Sequence, residues 1–142
     1  MKQKTALLAI LVALLVSAVI RARGGLFGTS EDVRSAAFLG KVAAEANKGL
    51  PKMIDPETEM TSTAGLDGVF VYNYRLVNMV GTEVDGQQLV ATLKPQVAKA
   101  ACSAAATRDK FLRQNIALRY SYADKSGVTV ASFDVNPGDC SS

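Results

Sequence analysis

Between Lys4 and Arg21 the chain carries no charge. Thr5–Ile20 is an unbroken run of sixteen uncharged, mostly apolar residues, bracketed by Lys2 and Lys4 before it and by Arg21 and Arg23 after it. As a helix it spans about 24 Å, short of the roughly 30 Å of a bilayer's hydrocarbon core. Lys4 and Arg21 can stretch their aliphatic stems to the headgroups, so the run reads as a thin transmembrane helix. Ala9, Ala13 and Ser17 fall four residues apart. They form a stripe of small side chains, which lets a second helix approach closely in lipid. Val16-Ser17-Ala18 also fits a signal-peptide cut, the alternative reading of the same stretch. The expected layout is a signal-anchor over residues 1–23, a glycine-rich joint over 24–30 and a folded domain over 31–142.

Within that domain the periodicity changes several times. A first helix is expected from a cap at Thr29 with Asp32, or at Ser30 alone, to about Lys48, where Gly49 and Pro51 stop it. Arg34, Lys41, Glu45 and Lys48 fall on one stripe, and Val33, Ala36, Ala37, Leu39, Val42 and Ala43 cover the rest. Thr58–Thr63 reads as a weak edge strand, Gly65–Gly68 as a turn and Val69–Val80 as the strongest strand. Asp85 can cap a second helix with Gln88. Its stripe is Leu89, Val90, Leu93, Val97, Ala100 and Ala104, and Pro95 predicts a kink or restart. Ile116–Ala123 and Val128–Val135 then form a hairpin around Asp124-Lys125-Ser126-Gly127. The order of helix, two strands, helix, two strands predicts an α+β fold of αββαββ type, one antiparallel sheet with both helices on one face.

Two-residue alternation sorts the strand faces. Phe70, Tyr72, Tyr74 and Leu76 share one side of their strand, as Ile116, Leu118, Tyr120 and Tyr122 do in theirs. Buried rings with hydroxyls at a wet rim is the plain reading; a ligand-stacking platform is the sharper one. The opposite side carries Val69, Val71, Arg75, Val77 and Met79, with Asn73 among them. With helices over the tyrosines, that apolar side lies open to a partner.

Composition changes this picture in three ways. The formal charge of +3 belongs to the leader: without its four basic residues, twelve bases face thirteen acids. A near-neutral domain lacks the basic excess that nucleic-acid binding needs. Residues 53–93 hold six acids against Arg75, and residues 94–119 hold six bases against Asp109, which suggests complementary surfaces. Cys102 and Cys140 are the only cysteines, and an even count in a small exported domain reads as a disulfide, which fits a domain outside the cytoplasm. Asp55, Glu57 and Glu59 lack the glycine turn and further ligands of a calcium loop, so a charged edge is the better reading. With no histidine, no nucleophile elbow and no phosphate-binding glycine loop, no catalytic, cofactor or metal site is expected.

Leu50-Pro51, Ile54-Asp55, Thr58, Tyr72-Asn73-Tyr74-Arg75-Leu76, Cys102, Tyr120-Ser121-Tyr122-Ala123-Asp124, Gly127 and Cys140 resemble a loose group of small exported bacterial proteins of unassigned function. The resemblance implies no activity. In architecture alone, a span followed by αββαββ is similar to small single-span subunits of secretion and pilus machines, with a glycine joint in place of their coiled coil. The expectation is a non-catalytic accessory subunit of a bacterial inner-membrane complex, its domain periplasmic and its partners a membrane protein and lipid. The alternative is a soluble periplasmic binding or inhibitor module released by cleavage.

Overall fold

The computed structural model describes residues 31–140. The predicted span, its Ala9/Ala13/Ser17 stripe and the caps at Thr29 and Ser30 lie outside the described residues. None of the described helices is long and apolar enough to cross a membrane.

Helix α1 (Ala36–Asn47) starts later than expected. Its cap is Ser35, whose hydroxyl accepts the Phe38 N–H at 3.1 Å. Asp32 instead turns the chain just before it, accepting the Arg34 N–H. The buried stripe is Phe38, Leu39, Val42, Ala43 and Ala46, so the predicted Ala36 and Ala37 face outward. Strands β1 (Lys52–Asp55), β2 (Thr58–Leu66) and β3 (Val69–Leu76) follow as an antiparallel meander. Helix α2 (Gly86–Ser103) is capped by Asp85, which accepts the Gln88 N–H at 3.1 Å, and it runs through Pro95 without a break. It ends where Ala104 takes an extended conformation and a short helix α3 (Ala105–Arg108) begins. Buried Thr107 donates its hydroxyl to the Ala101 carbonyl there, satisfying a helix-end acceptor. Strands β4 (Ala117–Ala123) and β5 (Thr129–Val135) complete a five-stranded sheet in the order β1-β2-β3-β4-β5.

Two expectations about the sheet are corrected. Residues 52–55 form a third strand in the first half, so Thr58–Leu66 is interior and β1 is the edge. Four residues are too short to show a period, which hid β1 from pattern reading. The sheet is also not wholly antiparallel, because β3 and β4 pair in parallel. Helices α2 and α3 lie between them and carry the chain back to the end where β3 began, as a parallel crossover requires. Strand β3 stops at Leu76, leaving Val77–Val80 in the connection.

Both helices cover the face that holds Phe70, Tyr72, Tyr74, Leu118, Tyr120, Tyr122 and Phe133, with α1 on β2 and α2 on β5. Gly65 sits inside β2, where a Cβ would collide with the backbone of Leu39 and Gly40 in α1. Gly86 does the same for α2 against the Val130 carbonyl. Beyond the end of β1, the Asn47 side chain fastens α1 to β2: its amide donates to the Thr63 carbonyl at 3.0 Å and its oxygen accepts the Thr63 N–H at 2.7 Å. Cys102 and Cys140 form a disulfide, with their Cα atoms 5.3 Å apart. It ties the final turn (Pro137–Cys140) to the flank of α2, and both half-cystines pack against the rim of the core.

Replacing Gly65 by Ala should destabilise the protein by about 1–3 kcal/mol or more, because backbone and not a yielding side chain occupies the space. At Gly40, mid-helix with open space where a Cβ would stand, the same change should stabilise by roughly 0.5–1 kcal/mol. Urea melts of the two variants check both signs. Removing the disulfide with Cys102→Ser and Cys140→Ser should cost roughly 4 kcal/mol, given the 38-residue separation it closes.

Candidate interaction surfaces

The parallel register puts Tyr72 beside Tyr120 and Tyr74 beside Tyr122. The rings stack in a ladder, with centroids 5.2 Å apart for the first pair and 5.0 Å for the second, and Tyr74 and Tyr120 stack diagonally at 6.4 Å. Each of the four is at most 2% exposed. This seals the face and removes the ligand platform as a surface reading. It also corrects the expected wet rim: the hydroxyls of Tyr72, Tyr74 and Tyr122 are themselves buried and have no hydrogen-bond partner among the described residues. Burial raises all four phenols above their ordinary pKa, so they stay neutral.

The other face is where a partner was expected. Val69, Val71, Asn73 and Arg75 alternate onto it from β3, with Val69 half-buried and Val71 buried. Val77 and Met79 leave this set, since they lie past the strand end. Val77 donates its N–H to the Glu57 carbonyl, and Met79 sits exposed in the following turn. Leu66, 45% exposed and opposite Val69 in register, extends the apolar end instead. Its place in the Gly65–Gly68 segment hid it, because that segment reads as turn. The true turn is Asp67-Gly68 alone, with Gly68 at φ 71°. The rest of this face is polar. Arg75 pairs with Glu59 at 2.8 Å, Asn73 donates to Ser62 at 3.1 Å, and Arg119 holds Asp134 through two bonds. Thr61, Ser62, Asn73, Arg75, Ser121 and Thr129 line a depression of about 330 Å3 there.

The acidic run disperses. The Asp55 carboxylate accepts the Glu57 N–H in a local turn and Glu59 is held by Arg75, and among the described residues no three His, Cys, Asp or Glu side chains converge. The charge segregation does not produce matching surfaces: no ion pair among the described residues joins 53–93 to 94–119. Arg108 and Arg113 pair with Asp109 and Arg119 with Asp134, while Lys94, Lys99 and Lys110 have no ion pair among the described residues.

Sequence reading missed Asp124, which is 5% exposed. Its carboxylate accepts the N–H groups of Gly81, Ser126 and Val128 at 2.9–3.0 Å, clamping the β3–α2 connection to the β4–β5 hairpin. The Val128 N–H, then those of Ser126, Gly81 and Gly127, hold its pKa below the usual carboxylate value against the opposing effect of burial. A depressed folded pKa contributes stability that is complete above the unfolded value of about 4 and fades as pH falls through the folded value. Below that pH the melting temperature of the native protein should drop more steeply than that of Asp124→Asn, which starts lower at neutral pH; thermal melts from pH 7 to pH 2 test this.

No known protein family matches the chain, and no curated protein matches it. Solved structures do. A Pseudomonas aeruginosa protein described as secreted superposes with a TM-score of 0.65 at 19% identity, over 80% of this chain and 98% of its own. The type 2 secretion system pilotin EpsS of Vibrio vulnificus gives 0.60 at 14% identity, over 75% of this chain and 92% of its own. The type II secretion system pilotin AspS of Vibrio cholerae gives 0.55 at 13%, over 74% and 91%. At these identities the likeness is one of fold: the α+β domain of this chain has the same architecture as those three proteins.

Proposed function

We propose that the protein is a non-catalytic accessory factor of a bacterial envelope complex, with its domain outside the cytoplasm and its N-terminal helix retained in the inner membrane. The observation that carries this reading is the whole-domain likeness to two secretion pilotins and to a protein described as secreted. The Cys102–Cys140 bond supports an oxidising compartment. The ring ladder supports a scaffold role, since its most distinctive side chains are spent on packing and not presented to a substrate. The Ala9/Ala13/Ser17 stripe would meet a partner helix in the membrane, and the uncovered parts of the sheet would meet it outside.

The alternative, a periplasmic module released after Ala18, draws on Val16-Ser17-Ala18. Intact mass of the protein purified from its native membrane decides between them. A chain that retains residues 1–18 is expected; a mature chain beginning at Val19 and recovered from the soluble fraction would sink the anchored form. If the stripe is a contact, Ala9→Leu with Ala13→Leu should release the protein from co-purifying membrane partners while leaving it in the membrane.

A further inference from the structure

The depression on the uncovered sheet face is a hollow of short polar side chains. Ser62, Asn73 and Ser121 stand in register on β2, β3 and β4, and Arg75, Ala123 and Thr129 form the next row. The register shifts between Met60 and Ser62 in one pairing and between Tyr122 and Ala123 in another, and such bulges re-aim side chains. Part of the hydrogen-bonding capacity here is spent inside the sheet. Thr61 donates its hydroxyl to the Asn73 carbonyl and the Asn73 amide donates to the Ser62 hydroxyl, both at 3.1 Å. The rest has no partner among the described residues: the Asn73 side-chain oxygen, the hydroxyls of Ser121 and Thr129, and the Arg75 Nε, an atom that is itself buried. A buried N–H is normally paired, so this one marks a place for an acceptor from outside.

Charge and shape narrow what can sit there. Arg75 is the only charged residue of the lining, and Glu59 neutralises it at 2.8 Å. The Glu59 side chain is 17% exposed against 42% for Arg75, so an anion that drew the guanidinium away would strand the more deeply buried carboxylate. No exposed aromatic or long aliphatic side chain lines the hollow; Tyr74 contributes to it, yet its ring is buried on the opposite face. A protein partner anchors through such side chains, and a lipid needs apolar surface. What the hollow offers is one N–H donor, one amide oxygen acceptor and two hydroxyls that do both, with the methyl groups of Ala123 and Thr129 beside them. That set matches a neutral ligand rich in hydroxyl groups.

We propose that this hollow binds a neutral sugar. The Arg75 Nε would donate to a sugar oxygen, the Asn73 side-chain oxygen would accept from a hydroxyl, and Ser121 and Thr129 would do either. At about 330 Å3 the hollow lies at the small end of ligand sites, which suits a single ring. Exposed Gly127 and Thr129 at its margin leave room for the rest of an oligosaccharide. The inference goes beyond the accessory-factor reading and does not depend on it.

The test is an NMR titration of the full chain in a detergent without a sugar headgroup. The ligands added are neutral trisaccharides of glucose, galactose, mannose and N-acetylglucosamine, with inorganic phosphate and acetate as the anionic comparison. At least one trisaccharide should give saturable shifts, at roughly millimolar concentration, centred on the amides of Ser62, Asn73, Ser121, Gly127 and Thr129. Thr129→Val and Ser121→Ala each remove a hydroxyl that bonds to nothing among the described residues. Each should weaken binding roughly threefold to tenfold and leave the melting temperature of the free protein unchanged. The proposal falls if no trisaccharide moves these resonances at about 50 mM, or if the shifts map to another surface. It also falls if phosphate or acetate produces the same shifts and competes with the sugar, the signature of an anion site at Arg75, or if both variants bind as before. Its failure leaves the accessory role standing, because that reading rests on the likeness of fold.

Discussion

The parallel pairing of β3 with β4 is the constraint on which the rest of the fold depends. It sets two Tyr-x-Tyr strands in register, so four phenol rings stack in one layer and Phe70, Phe111 and Phe133 extend it. Such rings bury large areas and prefer offset stacked or edge contacts, which makes this layer the largest apolar mass in the domain. Everything else is fitted around it. The connection must reverse direction, so it needs α2. The helix must lie close, so Gly86 presses on the backbone of β5. On the other side, Gly65 lets α1 do the same to β2.

A core built this way leaves the working surfaces at its margins. The ring face is sealed, and the uncovered face is braced by cross-strand pairs, Glu59 with Arg75 and Arg119 with Asp134, over most of its width. Exposed ion pairs of this kind contribute little to stability, but they keep a half-open sheet soluble and oriented. Among the described residues, the outer edge of β5 pairs with no further strand, and it lies beside the end of α2 that Asp85 caps. The disulfide bounds this region at one end and the Asp124 clamp lies near the other, at the hairpin that leads into β5.

The likeness to secretion pilotins and to a protein described as secreted extends over nearly the full length of those chains at identities below one in five. What is shared is the fold. A fold of this kind positions surfaces and does not dictate what they bind, so the partner must be sought through the exposed side chains and edges particular to this chain.

Strong local signals in the sequence determined much of this protein. Alternation in Val69–Leu76 and Ala117–Ala123 assigned every buried tyrosine to its face. Asp85 and Gln88 marked the start of α2, and two cysteines with no third implied their bond. Where the signal was short or depended on distant residues, only the tertiary structure decided. Four residues from Lys52 carry no period. Gly65 reads as a turn until α1 is laid against it. Asp124 is one loop carboxylate among many until the Gly81 N–H arrives from 43 positions away. The direction of β4 relative to β3 is likewise absent from either strand's pattern, since side chains alternate identically in parallel and antiparallel pairs; it is set by the crossover through α2. The apolar run before residue 24 specifies a candidate membrane segment by length and hydropathy alone, because lipid responds to those properties without reference to the domain that follows.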